Sequence, residues 1–267
     1  ISILAPARGK NIRRILMYLG DYHTHTVYSH GKGTIEENVL QARKKGLKQI
    51  AVTDHGFGHI AYGVKRGKFA EMRKETDRLN AQYPDIKVLL GLECNLISSD
   101  GDIDLREGEE KLLDVIVCGF HKFAWASSFS QTFSFALPNV WYSMTGGISS
   151  KAIVRNTDAY IKLVEKHPVD IISHLNYAIK ADALEVALAC KHYGTLIELN
   201  GKRVNLSDDE IEKMLENDVD FILDSDAHSV DKVGDFSVPE QYVQRLHIPP
   251  ERIANLDKIP HFRSGGN

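Results

Sequence analysis

Two short motifs frame the chain. His23-Thr-His25 sets imidazoles at i and i+2, and Asp226-Ala-His228 repeats that spacing near the other end. On an extended strand, i and i+2 share a face. Between them lie His55 in Thr53-Asp-His-Gly56, Glu93 in Gly91-Leu-Glu93, His121 in Gly119-Phe-His121 and His174 in Ile172-Ser-His174. Neutral imidazole and carboxylate suit zinc, manganese or iron. The three cysteines, Cys94, Cys118 and Cys190, are widely spaced and form no CxxC pair, so neither a thiolate zinc site nor a disulfide framework is indicated. Such a ligand set fits hydrolysis. A cation lowers the pKa of bound water from about 15.7 towards about 7, and paired cations neutralise phosphate oxygens during in-line displacement.

Each of these groups follows a short apolar run: 17–19 before His23, 50–52 before His55, 88–92 before Glu93, 115–118 before His121, 171–172 before His174 and 221–223 before Asp226. Runs of this length read as buried parallel strands. In α/β barrels, catalytic groups collect at the C-terminal strand ends. A seventh strand is expected over 195–199. Helices alternate with the strands. Thr34-Ile-Glu-Glu37 and Ser207-Asp-Asp-Glu210 have capping-box spacing. Further helices are expected over 68–82, 151–166, 181–193 and 207–217, with short closing helices over 239–246 and 250–255. The sum is about seven βα units.

Residues 122–149 break the rhythm. The segment is rich in Ser, Phe, Trp and Gly and reads as a long loop, either a lid or substrate wall following His121, or a subunit contact. The chain of 267 residues otherwise suits one barrel domain over 17–263. Residues 1–16, basic through Arg8, Lys10, Arg13 and Arg14, read as a peripheral extension. A net charge of −3 argues against non-specific nucleic-acid binding. No apolar stretch approaches the roughly 20 residues that span a bilayer. Reduced thiols in a cytoplasmic protein are the expectation.

Taken together, the motifs resemble the PHP (polymerase and histidinol phosphatase) family of metal-dependent phosphoesterases, over roughly residues 17–256. The residues carrying the resemblance are Asp21-Tyr-His-Thr-His-Thr26, Thr53-Asp-His-Gly56, Gly91-Leu-Glu93, Gly119-Phe-His121, Ile172-Ser-His174 and Ser225-Asp-Ala-His228. The resemblance implies a distorted (β/α)7 TIM-like barrel with three divalent metal ions at the C-terminal ends of its strands. His23, His25, Glu93 and Asp226 would hold the first. Glu93 would bridge to a second held by His121 and His174, and His30, His55 and His228 would hold the third. Asp226 would also accept a proton from the attacking water. The chain departs from many relatives after His174, where Leu175-Asn176 replaces Pro-Gly.

Neighbouring residues supply further candidates. Asp21, Asp54 and Asp224 lie beside ligands and could orient imidazoles through ring N–H bonds. Lys122, and Arg203 beside Lys202, could bind substrate phosphate. His59, in the loop 56–63, could donate a proton to the leaving group. No P-loop, GxGxxG or nucleophile elbow is present. The expected function is hydrolysis of a small phosphomonoester by metal-bound hydroxide, with histidinol phosphate as one specific option. A nuclease or phosphodiesterase acting on nucleic-acid ends or nucleotides is the alternative. A non-catalytic structural module ranks last, because all nine ligand positions carry metal-competent residues.

Overall fold

A computed structural model describes residues 2–4 and 15–264. Ser2–Leu4 (β1) and Ile15–Met17 (β2) pair antiparallel, with Ser2 opposite Met17. The rest of the proposed extension lies outside the described residues. The central sheet has seven parallel strands in chain order: Gly20–Asp21 (β3), Gln49–Val52 (β4), Lys87–Asn95 (β5), Val115–Gly119 (β6), Ile171–Ile172 (β7), Leu196–Asn200 (β8) and Phe221–Asp224 (β9). It curls into a nearly closed, distorted TIM-like barrel. The first barrel strand begins at Gly20 rather than within 17–19, because Met17 is engaged in the β1–β2 ribbon.

Side chains stitch the seam between β3 and β9. The Asn255 amide donates to the carbonyls of Gly20 (2.9 Å) and Leu223 (2.6 Å). Tyr22 N–H donates to Asp224 Oδ1 (2.6 Å), and Ser225 N–H to Asp21 Oδ1 (3.0 Å). The strands regain backbone contact at their C-terminal ends, where His25 N–H donates to the Ala227 carbonyl (2.8 Å). That closure brings the two framing motifs side by side.

Helices cover the outside: Ile35–Lys44 (α1), Phe69–Gln82 (α2), Phe129–Gln131 (α3), Leu137–Thr145 (α4), Ser150–Lys166 (α5), Ala183–Tyr193 (α6), Asp208–Glu216 (α7) and Ser237–Arg245 (α8). Both expected capping boxes form, Thr34 with Glu37 and Ser207 with Glu210. Among the described residues no helix is long and apolar enough to cross a membrane.

The segment 122–149 is not the expected irregular loop. Residues 129–145 form one helical run, α3 and α4 joined by a π turn at Thr132–Ala136. Its helical period was masked because its large apolar residues face outward. Phe129, Phe133, Leu137 and Trp141 are exposed, whereas Phe135 and Asn139 are buried. Asn139 Nδ2 donates to Asn156 Oδ1 of α5 (3.1 Å). From this segment, only Lys122 and Phe123 reach the central cleft.

Candidate metal centre

Strands β3 to β9 deliver their following residues to one end of the barrel. Two of those residues leave their strands in left-handed backbone conformations, His174 at φ 32° and Asp226 at φ 49°. Non-glycine residues rarely adopt this region, and its occurrence at both positions marks strain held by the surrounding fold. Asn176 is also left-handed, at φ 69°, a conformation that asparagine tolerates. Gly119 is required by close packing, because a Cβ there would overlap Ser173 Oγ and His174 Cε1.

Glu93, 1% exposed, stands at the centre. Its Oε1 lies 2.8 Å from His174 Nε2, 3.2 Å from His23 Nε2 and 3.3 Å from His121 Nε2. Its Oε2 lies 2.8 Å from His55 Nδ1. Asp226 Oδ1 lies 3.2 Å from His25 Nε2 and 3.4 Å from His228 Nδ1. Donor atoms converge in three groups, each mutually within 4.8 Å: His23–His25–Asp226, His55–Glu93–His121 and His25–His55–His228. His174 joins through Glu93. His30 is exposed and stands at the margin, its ring stacked on His55 at 4.8 Å and 4.1 Å from His228. His55 thus lies closer to Glu93 and His121 than the expected partition implied.

The cluster fits divalent cations. His25 Nδ1, His174 Nδ1, His55 Nδ1 and Glu93 Oε2 are buried without a hydrogen-bond partner. The last two approach each other at 2.8 Å, but not in hydrogen-bonding geometry. His23 Nε2 and His25 Nε2 face each other at 3.2 Å. Buried polar atoms left this way are costly unless something binds them.

Electrostatics keep the carboxylates ionised. Burial would raise the Glu93 pKa, but His121, His23 and His55 hold it well below the usual carboxylate range. Burial likewise opposes ionisation of Asp226, and His23, His25 and Lys202 override it. His25 is pushed well below its ordinary value by burial and then by His55. Burial would also lower the His23 pKa, yet Glu93, Glu198 and Asp226 hold it well above.

The groups that orient the imidazoles are not the expected aspartates. Asp21 accepts from Ser225 and Gly234, and Asp224 accepts from Tyr22 N–H. Asp54 accepts from Thr26 and Ser29. These contacts hold backbone, because the three carboxylates close the barrel seam and its adjoining loops. His23 Nδ1–H instead donates to Glu198 Oε1 (2.6 Å), and His121 Nδ1–H donates to Asn95 Oδ1 (2.9 Å). Each bond turns Nε2 towards Glu93, where a cation could take the place of a ring proton. Asn95 is held by Asp104, which accepts from its amide nitrogen at 2.6 Å. The signal for Glu198 was present, a carboxylate inside the apolar run 195–199.

Above the cluster opens a cleft of about 310 Å³, walled by His59, Tyr62, Phe123, Tyr177, Lys202 and Arg203, with Lys122 at its edge. His59 Nδ1 accepts from Tyr62 N–H (3.1 Å), which leaves Nε2–H as the donor. Its pKa is pushed down to about 4 by burial and then by His121, so the ring is neutral at neutral pH. Lys202, expected with Arg203 among the loop cations that could meet phosphate, reaches the histidine–carboxylate cluster instead. Its Nζ lies 2.7 Å from His228 Nδ1 and 3.1 Å from Asp226 Oδ1.

This fold and ligand cluster match one family. The PHP domain model aligns with residues 21–209, and the chain belongs to that family. A protein named "Probable phosphatase" from Thermoanaerobacter sp. is 29% identical over 252 residues, covering 89% of this chain and 90% of that protein. The DNA polymerase/3'-5' exonuclease PolX of Bacillus subtilis is 28% identical over 228 residues, 81% of this chain but 35% of that protein. Histidinol phosphate phosphatase from Lactococcus lactis, solved with zinc, L-histidinol and phosphate, shares the fold with a TM-score of 0.62. It is 16% identical, and the alignment covers 92% of this chain and 97% of that one. The chain is a hydrolase, a phosphoesterase of the PHP family.

Proposed function

We propose that this chain, with residues 17–263 as its single catalytic domain, hydrolyses a small phosphomonoester. The observation that carries the reading is the convergence of six imidazoles with Glu93 and Asp226, His30 standing at their margin, several of their buried donor atoms unpartnered, beneath a cleft of about 310 Å³. That volume lies at the small-ligand end of the range for binding pockets. In this reading His23, His25, Glu93 and Asp226 hold one divalent cation. Glu93, His121 and His174 hold a second, and His30, His55 and His228 a third, drawn from zinc, manganese or iron. Bound there, the cations activate water and neutralise phosphate charge.

The chain's own groups do the rest. Glu198 and Asn95 fix the His23 and His121 tautomers, so both Nε2 atoms face inward. Asp226 receives the proton of the attacking water at a carboxylate oxygen, and Asn200 Nδ2 steadies its Oδ2 at 3.1 Å. His59 Nε2–H donates a hydrogen bond towards the departing oxygen. Lys122 and Arg203 bind the substrate at the rim.

The test is phosphate release by metal-replete protein across histidinol phosphate, sugar phosphates and nucleotides. Release from a small monoester, abolished by chelator, is the expected result. Cleavage of phosphodiesters or nucleic-acid ends with no monoester turnover overturns it in favour of a PolX-like nuclease.

A further inference from the structure

We infer that the preferred substrate carries a second anionic group on the part that leaves, as a phosphorylated hydroxy-carboxylate does, and that Lys122 and Arg203 bind that group. The inference rests on the phosphomonoesterase reading and narrows its substrate class.

The argument is one of charge placement. Two carboxylates line the cleft, Glu93 and Asp226, and both are on its floor and committed. Glu93 is ringed by five imidazoles. Asp226 faces His25 and Lys202 with one oxygen and takes the Asn200 amide on the other. Lys122 and Arg203 also line the cleft, and among the described residues neither side chain has a hydrogen-bond or ion-pair partner. The reacting phosphate is met by cations held on the floor. Arg203 is exposed and Lys122 half-buried, whereas Glu93 and Asp226 are buried, so these free charges face the part of the substrate that points away from the floor.

A leaving group with an ammonium would find no uncommitted carboxylate among the described residues of the cleft, and two fixed cations would repel it. A neutral leaving group would leave those cations unused. A carboxylate or second phosphate gains charge-assisted hydrogen bonds, which Arg203 can make bidentately. Histidinol phosphate, with a cationic amine, is disfavoured on this basis.

The experiment compares kcat/KM for three esters of similar size on the metal-replete full chain: phosphoethanolamine, glycerol 3-phosphate and 3-phosphoglycerate. The anionic ester is expected to lead the neutral one by about tenfold or more, with the cationic ester last. The lead should shrink as salt rises, because the rim is exposed. In the double variant Lys122→Gln/Arg203→Gln the anionic-to-neutral ratio should fall towards one. Equal or faster turnover of the cationic or neutral ester overturns the inference and leaves the phosphomonoesterase reading standing. So does a ratio unchanged in the variant. Turnover of none of the three, with phosphodiesters cleaved, overturns the phosphomonoesterase reading and this inference with it.

Discussion

The Nδ1 atom of His23 lies 2.6 Å from the carboxylate of Glu198, and neither side chain is exposed to solvent. Glu198 also accepts from His174 N–H at 2.7 Å and from Asn200 Nδ2 at 2.9 Å. One carboxylate therefore sets the imidazole tautomer at one candidate ligand and the strained backbone of another. Such outer partners typically account for 10–100-fold in metal affinity. Glu198→Ala should weaken metal binding by about that factor. A competition titration against a chromophoric chelator measures it, and unchanged affinity would detach Glu198 from the centre.

Metal removal should act on stability as well as on turnover. The unpartnered atoms of His25, His55, His174 and Glu93 are assembled only in the folded state. A cation that binds the native but not the unfolded chain stabilises by about 2.7 kcal/mol when free metal is 100 times Kd. Chelated protein should lose phosphatase activity and melt at a lower temperature, with both restored by added metal. A Tm that ignores metal would contradict a buried multi-ligand site.

The sequence exposed the strand ends and their ligands because apolar runs and the groups behind them are local patterns. Other features depend on distance. Asp21 and Asp224 are 203 residues apart in the chain, and only barrel closure shows that they hold the seam rather than an imidazole. Glu198 stood alone in an apolar run, and nothing nearby in sequence pointed it at His23. The helical run 129–145 was hidden because its exposed face carries Phe129, Phe133 and Trp141, the reverse of the usual pattern for a helix packed on a core.

Lys202 puts a positive charge among atoms that a cation would otherwise claim. Its Nζ sits 2.7 Å from His228 Nδ1 and 3.1 Å from Asp226 Oδ1. An ammonium there competes with a divalent ion for both ligands. Lys202→Met should therefore raise the metal-to-protein ratio at limiting metal, read by elemental analysis after gel filtration. A ratio that stays level or drops would mean that Lys202 is no competitor.

Asp104 supports His121 at one remove. It accepts from Asn95 N–H (2.9 Å), Asn95 Nδ2 (2.6 Å) and Gly58 N–H (2.7 Å). Burial raises its pKa above the ordinary value, against the pull of these hydrogen bonds. The native state then holds a proton that the unfolded chain has already released. Its contribution to stability is full below the unfolded value of about 3.9 and is lost as pH rises through the folded value. Asp104→Asn cannot ionise, so it should flatten that part of the curve. It should also lower overall stability by about 1–3 kcal/mol, since one amide oxygen replaces two acceptors. Melting temperatures across this acidic window compare the slopes. Parallel curves for variant and wild type would remove the ionisation argument.

Phe135 and Trp141 lie six residues apart on the same helical run and should behave in opposite ways. Phe135 is fully buried and meets Phe120 edge-on, with ring centroids 5.7 Å apart, and Phe120 immediately precedes His121. Trp141 is 64% exposed and does not line the cleft. Truncating a buried phenylalanine costs about 3–5 kcal/mol, whereas exposed substitutions usually stay within about 0.5 kcal/mol. Phe135→Ala should destabilise the protein by roughly the former amount. It should also lower kcat/KM in the folded fraction, because the floor under His121 loosens. Trp141→Ser should leave kcat/KM near the wild-type value. Urea unfolding and steady-state rates on both variants decide it, and a large kcat/KM loss in Trp141→Ser would restore residues 129–145 as a wall of the active site.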